Sequence, residues 1–137
     1  MRLPVFLSRR PAEPVDPDLA AFYERLLRET HRDVFRNGGW RLCDRSGWPD
    51  NQSVQHILAW CWVKNDERAL VVVNFGPERA QARVQVSWAG LGGRVWRLDD
   101  VLSGETYERE ANETRESGLF VDLGPWQCHL FEMRERR

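Results

Sequence analysis

Few residues of this chain could do chemistry, and their spacing limits what they could do together. Cleaving a glycosidic bond takes two carboxyl groups flanking one bond, and Asp99-Asp100 is the obvious pair. Adjacent residues of a strand point to opposite faces, so these two cannot flank one substrate atom. Their place at a strand end, near the Ser103-Gly104 turn, suits aspartates that bond backbone. Glu113 and Glu116 stand in a polar stretch and read as solvated charge. Cys128 and His129 are neighbours and are likewise split across a strand. Ser103 has no Gly-x-Ser-x-Gly setting, so no nucleophile elbow is expected. His31, His56 and His129 are not at ligand spacing, and nothing specific stands behind a site built from His56, Cys61 and Cys128. No glycine-rich phosphate loop is present, so neither metal nor cofactor is expected.

Aromatic rings are the better candidates, for the chain carries seven tryptophans. Trp48 sits in a polar loop beside Pro49, Asp50 and Asn51, with Arg45 and Gln52 near. A flat ring stacks on the C–H face of a sugar, while amide and carboxylate groups take its hydroxyls. Trp48, Asp50 and Asn51, with Trp40 as a second platform, are the candidate carbohydrate-binding residues. The plainer reading is that Trp48 folds back and caps the sheet. Trp96 and Trp126 read as core.

The bulk numbers narrow the class. A chain of 137 residues suits one domain. With 20 Lys and Arg against 21 Asp and Glu, nothing calls for nucleic acid or an anionic membrane as partner. Three widely spaced cysteines, Cys43, Cys61 and Cys128, argue against a disulfide framework and point to a reducing cytoplasm. The first ten residues are too short and too polar for a signal peptide, and no stretch is apolar enough to span a membrane.

The elements that must position these groups are legible from periodicity. Residues 1–15 read as an extended arm, because Pro4, Pro11 and Pro14, with Pro17 after them, block helix. Asp16 offers an N-cap, with Pro17 at the first helical position. Leu19, Phe22, Tyr23, Leu26 and Leu27 then recur at helical spacing, and a helix is expected to about Phe35, stopped by Asn37-Gly38-Gly39. This stripe is the candidate interface, since an amphipathic helix needs something to lie against.

After Gly39 the period becomes two. Strands are expected at 40–43, 56–64, 68–75, 81–88, 94–98, 106–109, 119–123 and 127–133, with polar loops at 44–53 and 110–118. Asn65-Asp66-Glu67 forms a hairpin connection, and Gly90, Gly92 and Gly93 mark a turn. Both faces of the 56–64 strand are apolar, so it should be covered on both sides. The fold class is mainly β: an antiparallel Greek-key β-sandwich of about eight strands, preceded by one amphipathic α-helix. The division is 1–39 for arm and helix and 40–137 for the sandwich.

Several segments together carry a family resemblance. They are the helix Asp16–Leu27, the strands Ile57–Val63 and Arg68–Phe75, the hairpin Trp96–Glu105, and the closing run Leu119-Phe120-Val121-Asp122-Leu123-Gly124-Pro125-Trp126 with the strand after it. In order and spacing this resembles the last barrel helix and all-β C-terminal domain of α-amylase-type enzymes (glycoside hydrolase family 13). The closing run is similar to the family's Asp-Leu-Pro-Pro-Trp segment, with Gly124 where the family often has proline. The likeness covers roughly residues 16–133.

The resemblance implies a sandwich behind a remnant of a catalytic (β/α)8 barrel. The family's nucleophile aspartate, acid glutamate and third aspartate lie at barrel strand ends, and no position here matches them. The expected function is a non-catalytic accessory domain of an α-glucan-active glycosidase or glucosyltransferase. Its partner would be a barrel of the same or a companion chain, with α-glucan as a further ligand and self-association through the helix as a further contact. Two other readings stand beside it. One is an independent carbohydrate-binding module using Trp48; the other is a β-sandwich that docks a protein partner.

Overall fold

A computed structural model of the protein describes residues 13–86 and 95–136. Most of the expected arm, the end of the 81–88 strand with Trp88, and the Gly90, Gly92 and Gly93 turn lie outside the described residues.

The first helix, α1, spans Pro17–Thr30. The Asp16 side chain accepts hydrogen bonds from the backbone N–H groups of Asp18 and Leu19 at 3.0 and 3.1 Å, so the expected cap forms. The helix does not continue to Phe35. Arg32 takes an extended backbone (φ −63°, ψ 149°), and a second helix, α2, spans Asp33–Asn37. The break lets the chain turn onto a sheet. Val34 becomes fully buried, and the Arg32 guanidinium bridges Glu29, Glu67 and Glu132 at 3.5, 3.4 and 2.9 Å.

Nine strands occur among the described residues: β1 (Gly39–Leu42), β2 (Asp44–Ser46), β3 (Ile57–Lys64), β4 (Glu67–Asn74), β5 (Ala80–Gln85), β6 (Val95–Asp100), β7 (Thr106–Glu110), β8 (Leu119–Leu123) and β9 (Cys128–Glu135). They form two antiparallel sheets, one ordered β1-β3-β4-β9-β6-β7 and one ordered β2-β5-β8. The sandwich is as expected, with one strand more. The expected 40–43 strand ends at Leu42, and the first residues of the expected 44–53 loop continue as β2. Cys43, buried between them, is the corner where the chain leaves one sheet for the other.

β3 and β4 pair along their full length and close through Asn65-Asp66. Asn65 sits at φ 53°, a conformation its short polar side chain tolerates. The expected 110–118 loop contains a helix instead, α3, over Ala111–Ser117. Ala111 and Thr114, three apart, bury one side of it, and Gly118 at φ 81° ends it. Polar composition hid this short amphipathic turn.

The core lies between the sheets. Ile57, Ala59 and Cys61 of β3 and Leu70 and Val72 of β4 meet Ala82 and Val84 of β5 and Leu119, Val121 and Leu123 of β8. The alternate residues of each strand face outward. On the six-stranded sheet, register sets Leu42, Trp60, Val71 and Leu130 in one row across β1, β3, β4 and β9. On the three-stranded sheet the corresponding row is Ser46, Arg83 and Phe120.

Candidate functional site

Trp48 stands in a tight turn, closed by the Asn51 N–H donating to the Trp48 carbonyl at 2.8 Å. Its ring is 42% exposed and lies 6.4 Å from the ring of Phe120, with an interplanar angle of 32°. Phe120 is 40% exposed and points away from the core, between inward Leu119 and Val121. Trp48 therefore caps one edge of the small sheet and keeps an open ring at the same time.

The other candidate sugar residues are placed differently. Asp50 is exposed in the same turn. Asn51 holds the loop together: its Nδ2 donates to the Gln81 carbonyl at 2.8 Å, and its Oδ1 accepts from the Ser53 N–H and Oγ at 3.0 and 2.6 Å. Trp40 is not brought to Trp48. It pairs with Trp62 and faces outward from the other sheet, where it is 58% exposed.

Polar groups surround the Trp48–Phe120 pair. Arg79 forms a bidentate pair with Asp122 at 2.6 and 2.5 Å, and Gln81 Nε2 donates to the same carboxylate at 3.0 Å. These donors hold the Asp122 carboxyl below the ordinary carboxylate range, Arg79 first. Phe120 also forms a wall of a cleft of about 130 Å³ that reaches between the sheets, with Tyr107, Arg109, Asp122 and His129 around it.

Asp99 and Asp100 do point to opposite faces. Asp99 accepts from Arg97 Nε and Thr106 Oγ1, both at 2.7 Å. Asp100 is buried and accepts from the Leu102 and Leu130 N–H groups at 3.1 and 3.2 Å and from Ser103 Oγ at 2.8 Å. His129 Nδ1 lies 2.7 Å from Asp100 Oδ2. Burial pushes the Asp100 carboxyl upward, but the bonds from His129, Ser103 and the two backbone groups outweigh it, and the net direction is down. The Ser103 hydroxyl is bonded to the aspartate and not to the imidazole, so these three groups do not form a nucleophile relay. The His129–Asp100 pair has no signature in the sequence, because its members lie 29 residues apart on different strands.

The α1 stripe splits in two. Phe22 and Leu26 are partly covered, while Leu19, Tyr23 and Leu27 are 52%, 52% and 55% exposed. Arg25 ties the helix to the sandwich, donating from Nη1 to the Leu102 carbonyl at 2.7 Å. Trp96 is buried as expected, but Trp126 is 65% exposed. It occupies a turn at φ 58°, its N–H donating to the Gly76 carbonyl at 3.2 Å, and that geometry turns its ring out of the core.

The fold matches part of a maltogenic α-amylase. The noncanonic maltogenic α-amylase AmyB from Thermotoga neapolitana superposes with a TM-score of 0.68 at 13% identity, over 93% of this chain and 28% of that one. The trehalulose synthase MutB from Pseudomonas mesoacidophila MX-45 superposes with a TM-score of 0.51 at 23% identity, over 87% of this chain and 18% of that one. The chain thus spans less than a third of the length of these enzymes, and the resemblance read from its segments is met at the level of fold. No family model and no curated protein matches the sequence. Among the described residues no helix is long and apolar enough to cross a membrane.

Proposed function

We propose that this chain is a non-catalytic accessory domain of an α-amylase-type enzyme, working beside a (β/α)8 barrel that carries the carboxylates. The observation behind it is the superposition on AmyB, which takes up 93% of this chain but 28% of the enzyme. The surface adds support. Leu19, Tyr23 and Leu27 form a bare stripe one helical turn apart, and Trp40 and Leu42 stand bare on an edge strand. Burying them would remove apolar area from water at roughly 25 cal/mol per Å². The barrel is the cover proposed for them.

The purified chain with 8-anilinonaphthalene-1-sulfonate tests this reading. The dye should bind the bare stripe, and Tyr23→Asp combined with Leu27→Asp should abolish most of that binding while the far-ultraviolet circular dichroism stays unchanged. The chain should release no reducing ends from soluble starch. Release of reducing ends by the purified chain, or no dye binding, would overturn the reading.

A further inference from the structure

We infer that the outer face of the three-stranded sheet is a binding site for a neutral oligosaccharide of hexose units, centred on Trp48 and Phe120. The inference stands independently of the barrel. Two aromatic residues, each about two-fifths exposed, bring their ring centroids to 6.4 Å on a face whose other described residues are polar. Leu119 and Val121 fill the core beside Phe120, so the outward ring is not needed there. Solvent-facing polar side chains would serve a plain outer sheet face better than a phenyl ring.

The rim selects the ligand class. A hexose presents apolar C–H faces to a ring and hydroxyls at its edge that both donate and accept. Gln81 and the Arg79–Asp122 pair offer donors and acceptors around Phe120. The Arg79 guanidinium and the Asp122 carboxylate neutralise each other, so this pair adds hydroxyl partners beside Phe120 without adding net charge. The 32° tilt between the rings gives a bent track, which fits consecutive units of a curved chain better than those of a flat one. Past Phe120 the track continues into the cleft of about 130 Å³, where His129 and Arg109 supply further polar edges. The Asp100 carboxylate fixes the imidazole there at 2.7 Å.

Two-dimensional ¹H–¹⁵N spectra of the full chain, titrated with maltoheptaose and separately with cellohexaose, test this. The Trp48 indole N–H resonance should shift saturably, at lower concentration with the curved maltoheptaose than with the flat cellohexaose; the reverse order would contradict the bent track. Phe120→Leu, which keeps an apolar body and removes the ring face, should weaken binding roughly 2- to 12-fold. Trp48→Ala should remove the response of the Phe120 backbone N–H, while Trp40→Ala should leave the affinity unchanged. No saturable shift with either sugar at tens of millimolar, or a shift whose affinity is untouched by Phe120→Leu, would overturn the inference. Either result leaves the dye-binding test of the accessory role as it was, because the α1 stripe and this face share no residue.

Discussion

The two outer faces of the sandwich follow the same alternating pattern but carry different rows. Across the six-stranded sheet the row is Leu42, Trp60, Val71 and Leu130, with Trp40 and Trp62 beside it. Across the three-stranded sheet it is Ser46, Arg83 and Phe120, with Gln81 paired to Asp122. The first face has protein laid on it: Val34 is buried beneath α2, and the Phe35 ring meets Trp62 edge-on at 5.0 Å. The second face is wet apart from one aromatic pair. A continuous apolar row needs a protein cover, while an isolated ring pair in a polar field suits a hydrated ligand. The difference separates a face on which the chain lays its own helix from a face offered to solvent.

The largest effect should come from forcing the first face to behave like the second. Val34→Asp would place an unpaired carboxylate under α2, and urea unfolding should show a loss of about 3–4 kcal/mol. The matching change on the other face, Phe120→Asp, should stay within about 0.5 kcal/mol. Equal losses would erase the distinction between the faces.

Asp100→Asn comes next, because it weakens a carboxylate that ties β6 to β9 from the core side; about 1–2 kcal/mol should be lost at pH 7. The Asp100 carboxyl is held below its ordinary value of 3.8, so folding favours the ionised form. Its contribution is complete above that value and is lost as pH falls through the lower folded-state value. The variant should therefore show a flatter loss of stability than the parent below pH ~4, measured by denaturant titration across pH.

The smallest effect is the sharpest. Trp126 is bulky, exposed and held at φ 58°, where glycine is comfortable. Trp126→Gly should leave thermal stability unchanged or raise it by up to about 1 kcal/mol, since the relief of strain offsets the added freedom of the unfolded chain. A loss above that size would mean that the ring packs against the sandwich in solution.

Much of the fold was legible in the sequence. Asp16-Pro17 announced α1, and the two apolar faces of Ile57–Val63 announced a strand. It has the core on one side and, on the other, only partial cover from Phe35 over Trp62. What was not legible depended on contacts far apart in the chain. The helix break at Arg32 follows from Glu67 and Glu132, which lie on strands placed only by the full topology. α3 looked polar because only Ala111 and Thr114 touch the core. Trp40 and Trp48 look alike in sequence, eight residues apart, yet the corner at Cys43 sends them to opposite outer faces. Phe120 lies in an apolar run whose composition reads as core, and alternation alone shows that it points outward.

The most direct test of the accessory role is site-specific photo-cross-linking in an extract of the native source. A photoreactive phenylalanine would replace Tyr23 in one experiment and Glu113 on α3 in another, with the products identified by mass spectrometry. The Tyr23 probe should capture an α-amylase-type barrel, in a companion chain or in a larger polypeptide that contains this chain, and the Glu113 probe should not. Tyr23 cross-links only to a second copy of this chain, or to nothing, would contradict it.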